Sequence, residues 1–311
     1  MNPKVSIIIV NWNGRYFLRE CLDSVFRQTY PSYEVIIVDN GSTDDSVKFV
    51  LENYPQVKVI KNEKNYGYAK GNNIGIREGS GKYVVTLNND TEVAKNWLEE
   101  LVRVAESNSR IGICASKQLN YHNRRIIDAA GCYLTKYAAG KNIGLGEFDC
   151  GQYDSLREIF GASGASAFYR KKMLEEIGLF DEDYFLYEEE LDLCWRAKLS
   201  GWKCIFVPGA IVYHIKSSSV MNSPYRYGYY TQRNRLFNIV KNFSLRTLIA
   251  VLPYLLKCEF DNFLDIVFKY NTIRLKARID FIKLLPRMLR KRKTVQNMRK
   301  ISTAEFRKWL V

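Results

Sequence analysis

The chain has no C-x-x-C pair: its seven cysteines are scattered from Cys21 to Cys258, and their number is odd. That spacing argues against a zinc knuckle and a disulfide framework, and a reducing compartment is the simpler expectation. The segment before the apolar run Val5 to Val10 is too short for a signal-peptide core with its cleavage site, so the expected location is the cytoplasm. No uncharged stretch reaches the ~20 apolar residues that cross a bilayer. In the basic last third the apolar run Thr247 to Leu256 is far shorter than that and contains Pro253. No apolar run is followed by G-x-G-x-x-G or G-x-x-x-x-G-K-[ST], which argues against a dinucleotide fold and a P-loop.

Acidic residues are scarce in one region only. Residues 1–215 hold 26 Lys+Arg against 28 Asp+Glu, whereas residues 216–311 hold 21 against 5, so the whole net charge of +14 comes from the last third. A division into a domain over 1–215 and a basic helical extension over 216–311 follows. The extension's aromatic and aliphatic faces include Leu284, Leu285, Met288 and Leu289, followed by Arg290 to Lys293 beside Arg287. That composition suits a helix lying on an anionic membrane surface; the alternative is a solvated basic face of a helical cap. The other polyanion, nucleic acid, is not expected, because no binding signature is present and aromatics do not interleave with the cations.

With 47% hydrophobic and 26% charged residues, the 311-residue chain can bury a sizeable core. Apolar runs of strand length, Val5–Asn11, Glu34–Val38, Val57–Ile60 and Tyr83–Leu87, alternate with helical periodicity. Uniformly apolar strands joined by helices predict right-handed βαβ units and a parallel sheet. Polar residues gather where those strands end: Asn11, Asp39 with Asn40, Asn62, and Asn88-Asn89-Asp90. Open α/β sheets bind ligands along that edge. Asp90 can ligate a hard divalent cation that in turn holds a diphosphate, or the two amides and the acid can merely cap the next helix.

Three ordered segments carry a resemblance: Val35 to Asp44, Asn65 to Asn73, and Leu87 to Val93. They resemble the nucleotide-sugar half of family 2 glycosyltransferases, inverting enzymes of the GT-A fold, and the likeness runs on to His214, about two-thirds of the chain. The resemblance implies a mainly parallel α/β sheet flanked by helices. It places Asn11, Asp39, Asn40, Ser42, Asn65, Gly67, Asn72, Asn88 and Asn89 around a dTDP-, UDP- or GDP-linked sugar, with Asp39 near the base. Asn88 stands at the first position of the family's D-x-D region, as in rhamnosyltransferase-like branches, and leaves Asp90 the one carboxylate there. Asp90 and His214, the latter in a V-x-H segment, are the expected ligands of Mg or Mn; a histidine of this kind can equally be structural. Lys216 and Ser217 to Ser219 then supply donors for the phosphates.

Glu189-Glu190-Leu191-Asp192, with Cys194 and Arg196, resembles the family's E-D-x-D-L-C-x-R motif. Inverting transfer needs one carboxylate to take the acceptor's proton, and Glu190 falls on that position where Asp is usual, with Glu189 in reserve. Acids at a helix start also simply complement its dipole. Gly161 and Ala162, within the small-residue run Phe160 to Arg170, are expected to border the sugar and acceptor or else simply to form a tightly packed strand; Asp192 and Arg196 are candidates for the same pocket, but the role expected of them first is to fix the helix and its neighbouring loop. The activity implied is transfer of a hexose or deoxyhexose to a hydroxyl of a lipid-linked or cell-envelope glycan. Rival readings are a nucleotidyltransferase and a non-catalytic membrane-bound scaffold of the same fold.

Overall fold

The computed structural model describes residues 2–215 and 224–311. Strand and helix alternate as β1 (Val5–Asn11), α1 (Arg15–Phe26), β2 (Tyr33–Asp39), α2 (Ser46–Asn53), β3 (Lys58–Lys61), α3 (Gly67–Glu78) and β4 (Tyr83–Asn88). β5 (Thr91–Val93), α4 (Trp97–Glu106) and β6 (Ile111–Asn120) follow. The stretch the sequence rendered poorly holds β7 (Ile127–Ala129), a hairpin of β8 (Cys132–Leu134) and β9 (Gly140–Asn142), and β10 (Arg157–Ile159). Next come β11 (Ser166–Arg170), α5 (Lys171–Ile177), α6 (Glu189–Leu199) and β12 (Lys203–His214).

The main sheet runs β10-β12-β6-β11-β4-β1-β2-β3, with β5 on β12 and β7 on β6. β1, β2, β3 and β4 are mutually parallel, so their carboxyl ends lie along one edge; β11 runs antiparallel between β4 and β6 and makes the sheet mixed. The first residues of β1, Val5 to Ile9, are buried on both faces, as their unbroken apolar character requires. α1 presents Leu18, Cys21, Leu22 and Val25 to one core, and α4 presents Leu98, Leu101 and Ala105 to the same one.

Two short strands, Lys203 to Val207 and Ala210 to Tyr213, are expected from sequence; the structure joins them in the single strand β12. Its register against β6 shifts between Val207 and Ile211, because Pro208 has no N–H for the ladder and the extra residues bulge out.

The last third is helical: α7 (Pro224–Asn242), α8 (Leu245–Phe268), α9 (Thr272–Asn297) and α10 (Thr303–Arg307). None of the described helices is long and apolar enough to cross a membrane. These helices share a core with what precedes them. Phe243, Val251, Leu255, Val295 and Phe306 belong to one buried cluster with Trp195 of α6, whose indole stacks on Phe306 at 5.6 Å between centroids.

Candidate active site

The strand ends bring a chain of polar side chains together. Asp39, 2% exposed, accepts from the Ser42 N–H at 2.8 Å, the Ser42 hydroxyl at 2.6 Å and Asn11 Nδ2 at 3.0 Å. Asn89 Nδ2 in turn donates to Asn11 Oδ1 at 2.7 Å, so the ends of β1, β2 and β4 are tied laterally. Asn40 donates to the Gly67 carbonyl at 3.1 Å and accepts from Asn62, and it lies 3.4 Å from Asn65. Asn72 is buried and donates back to the Tyr68 carbonyl of its own helix. The side chain of Asn88 is half-buried, while its N–H donates to the Ala165 carbonyl at 2.9 Å.

Strand pairing decides the neighbour of Asp90. β5 turns back antiparallel against β12 with Thr91 opposite His214, which sets the preceding residue beside the imidazole. His214 Nε2 stands 3.4 Å from Asp90 Oδ1, and the Ile215 N–H donates to the Asp90 carbonyl at 3.0 Å. Among the described residues no group of three or more His, Cys, Asp and Glu side chains is placed to hold a metal ion. An Asp and a His side by side are two ligands of the kind a cation takes when substrate phosphates and water complete its shell. The donor set therefore fits Mg or Mn bound with a diphosphate.

The acidic stretch after α5 meets the strand-end network at the start of α3, where Asn40 holds the Gly67 carbonyl and the Phe185 carbonyl accepts from the Tyr68 N–H. Phe185, Tyr187 and Glu188 adopt φ of +65°, +65° and +72°, and α6 begins directly after them. Gly67, at φ +80°, opens α3 against this loop; a Cβ there would lie 2.4 Å from the Phe185 carbonyl, which accepts from the Tyr68 N–H at 2.7 Å. Glu190 is half-buried with its carboxylate against Gly164, where a Cβ would come within 1.9 Å of Oε1, so only glycine leaves it room. The Gly164 carbonyl accepts from the Tyr68 hydroxyl at 3.0 Å. Gly164 immediately precedes Ala165, the partner of Asn88, and this short loop thereby joins the Glu190 side to the end of β4.

Burial pushes the Glu190 carboxyl up to about 7. It does the same for Glu188, also to about 7, where Arg235 opposes the rise and the nearby Glu190 adds to it. Glu189, 1% exposed, is raised well above the carboxylate range by burial and then by Glu190. A carboxyl near neutrality that keeps some exposure can accept a proton at physiological pH; one that is sealed and neutral cannot.

The family model for glycosyl transferase family 2 matches residues 6–178. The chain belongs to this family. A low-salt glycan biosynthesis hexosyltransferase of Haloferax volcanii is 27% identical over 202 residues, 64% of this chain and 62% of its own length. An N-acetylglucosaminyl-diphospho-decaprenol L-rhamnosyltransferase of Mycobacterium tuberculosis is 24% identical, with 72% of this chain and 80% of that one covered. The chain spans only 25% of an uncharacterized Sinorhizobium fredii protein that is 28% identical over 70% of this chain. Two solved structures show the GT-A fold. GalNAc-T7 with UDP, GalNAc and Mn2+ aligns at a TM-score of 0.62 with 20% identity over 77% of this chain and 48% of its own. The mannosyltransferase PcManGT from Pyrobaculum calidifontis with GDP-Man and Mn2+ aligns at 0.57 with 17% identity over 96% and 85%.

In this family 2 chain four of the candidate pocket residues have their neighbours inside the protein. Asp192 is fully buried and bonded to Lys241 at 2.9 Å, Arg196 at 2.9 Å and Asn242 at 3.0 Å, and Arg196 donates to the carbonyls of Ile177, Gly178 and Leu179. Both lie beneath the crevice, holding α6 to α5 and α7. Gly161 and Ala162 also face inward, Gly161 against Cys194 and Cys132, because the segment turns by Gly164 and only there meets Glu190. Lys216 and Ser217 to Ser219 lie outside the described residues. Sequence reasoning missed Tyr68, Gly164 and the polar face of α7. The excess of acids from Asp181 to Asp192 beside a cation-rich last third is the signal that pointed to the last of these.

The cations of the extension are accordingly directed inward more than the sequence suggested. Lys241 pairs with Asp181 at 2.5 Å, Lys291 with Asp181 and Asp183, and Arg287 with Asp183 at 2.7 Å. Arg292 donates to the carbonyls of Val240 and Phe243. Burial disfavours the charged form of Asp181, but Lys241 and Lys291 outweigh it and hold the carboxyl below its ordinary range. Arg290 and Lys293 make no ion pair among the described residues and are exposed.

Proposed function

We propose that this chain transfers a sugar with inversion from a dTDP-, UDP- or GDP-linked donor to a hydroxyl of a lipid-linked or cell-envelope glycan. Donor binding falls to the strand-end network around Asp39, with the diphosphate reaching Asp90 and His214. A Mg or Mn ion held by that pair would offset the charge of the departing nucleoside diphosphate. Glu190 takes the proton of the acceptor hydroxyl as its oxygen attacks the anomeric carbon. Glu189, sealed from the crevice, hydrogen-bonds Glu190 and so opposes the rise in proton affinity that burial causes, and takes no direct part. What supports the reading most is the loop from Gly164 to Ala165, which touches Glu190 at one end and the strand that delivers Asp90 at the other. Family membership favours transfer over the synthesis of a sugar nucleotide.

The same proposal puts the chain on the cytoplasmic face of an anionic membrane. Arg287, Lys291 and Arg292 are engaged inside the protein, so the supporting surface is elsewhere. On α8, Leu245, Ile249, Leu252, Leu256, Phe260 and Phe263 recur every three or four residues and are all exposed, with Arg246 and Lys257 beside them and unpaired among the described residues. An apolar stripe flanked by cations suits the boundary between headgroups and acyl chains.

The test is turnover of a panel of nucleotide sugars by wild type and Glu190→Gln with Mn present. The reading expects Glu190→Gln to lose about 1,000-fold in turnover, the middle of the range for a general base. Equal turnover in the two proteins would remove Glu190 from the mechanism.

A further inference from the structure

The loop that ends at α6 holds three non-glycine residues in the left-handed region, a geometry disfavoured for residues with a Cβ. Such a run persists only where its surroundings over-determine it. Every backbone carbonyl from Asp183 to Glu188 has a partner. The Phe185 carbonyl accepts the first amides of α3, and the Glu188 carbonyl accepts the Asp192 N–H of α6. The other four are all served by two neighbouring residues of α7. Asn234 Nδ2 lies 3.0 Å from the Tyr184 carbonyl, 3.0 Å from that of Leu186 and 2.7 Å from that of Tyr187. Arg233 reaches the Asp183 carbonyl at 2.8 Å and that of Tyr184 at 3.0 Å, while its Nε donates to Asn234 Oδ1 at 3.0 Å. Asn234 is 0% exposed and none of its polar atoms is idle.

We infer that Asn234 is a positioning residue for Glu190: by gathering three carbonyls it fixes the left-handed run from which α6 starts, and so aims the carboxylate at Gly164. The inference rests on the reading of Glu190 as the proton acceptor. An amide is the side chain this task requires. Its N–H groups face oxygens only, and its own oxygen is taken by Arg233, which a carboxylate or an aliphatic side chain could not reproduce on both sides. α7 itself has independent anchors. Lys241 pairs with Asp181 and Asp192, and Phe243, the residue that follows the helix, packs 4.6 Å from Trp195 between ring centroids. Loss of the Asn234 amide therefore frees the loop without unseating the helix.

The experiment uses the full chain, Mn and whichever nucleotide sugar of the panel wild type turns over, with kcat, donor KM, the pH profile of kcat and the melting temperature measured for four variants. Asn234→Ala is expected to lower kcat about 100-fold, the loss associated with ~1 Å of misplacement, while donor KM stays within about twofold. Its rising pH limb should move to lower pH, because a released Glu190 gains water; Glu188 and Glu189 on the same turn, Tyr68, Tyr169 and Tyr187, and the buried thiols of Cys132 and Cys194 are the other titratable groups near that carboxyl. Phe243→Leu destabilises the same helix without touching the loop, and is expected to leave the pH limb in place. If Asn234→Ala does not fold, Asn234→Asp, equal in size but without the donors, takes its place with the same expectations. A kcat within twofold of wild type, or a loss matched by Phe243→Leu at equal melting temperature with an unmoved limb, would overturn the positioning role. Wild-type turnover in Glu190→Gln would instead overturn the base assignment, and this inference with it.

Discussion

The two sides of the crevice are built by different means. On the nucleotide side, Asp39, Asn11, Ser42 and Asn89 sit at the ends of parallel strands and bond to one another, so the geometry follows from where the strands stop. On the acid side, Glu190 follows a backbone run that its own sequence disfavours, held by side chains of α7 about fifty residues further on. The first arrangement is local and tolerant; the second depends on the last third of the chain. Perturbations should separate them.

The largest effect is expected from truncation after Ile215. That deletion strips Trp195 of Phe243 and Phe306, leaves Asp181 and Asp192 buried without Lys241, and releases the acid loop. The shortened chain is expected to show no cooperative thermal transition, whereas an independent catalytic domain over 1–215 would melt much as the full chain does. Next is Lys241→Met, which takes from Asp181 and Asp192 the buried cation they share and leaves them only Lys291 and Arg196. Breaking a buried pair by removing one partner costs about 3–5 kcal/mol, and the expected fall in stability is measurable by urea denaturation. Arg287→Met, on a half-exposed partner of Asp183, serves as the mild control.

These two predictions also mark where the sequence was and was not legible. Val35 to Val38 and Tyr83 to Leu87 announced buried parallel strands because both faces of such strands are covered, and their ends located Asp39 and Asp90. The arrangement of Glu188 to Glu190 could not be read in the same way. Phe185 and Tyr187 have no preference for left-handed geometry, and Asn234 in a helix looks like any polar residue facing water until its three carbonyls are seen. The charge asymmetry was visible, but its meaning was only partly so. Arg287 and Lys291 reach Asp183 and Asp181 of the chain itself before any external polyanion, and only the tertiary fold shows which acids lie within range.

Smaller effects sharpen the contrast. Asp39→Asn is expected to raise donor KM about tenfold, equivalent to ~1.4 kcal/mol, with kcat little changed and stability nearly intact, since the amide can keep part of the Ser42 and Asn11 network. A large loss of kcat would instead tie the strand ends to the chemical step. The smallest effect is on stability against pH. The folded Glu190 carboxyl titrates near 7, above the ordinary 4.5, so the folded state holds that proton more tightly than the unfolded chain. Its contribution to stability is complete below the ordinary value and is lost as pH rises through the folded one. Glu190→Gln should thus melt a few degrees above wild type at about pH 8, and the difference should vanish toward about pH 4. An equal difference at both would mean that the carboxyl is not held in this low-polarity setting.

The central claim, that strand ends and acid loop face one reaction space, is tested most directly by a crystal structure of the full chain with Mn and a non-hydrolysable nucleotide sugar. The account predicts an anomalous Mn peak bonded to Asp90 and His214, with the sugar's anomeric carbon turned toward the Glu190 carboxylate. Mn bound away from Asp90, or a sugar ring whose reacting face is closed off from Glu190 by the loop from Gly164 to Ala165, would contradict it.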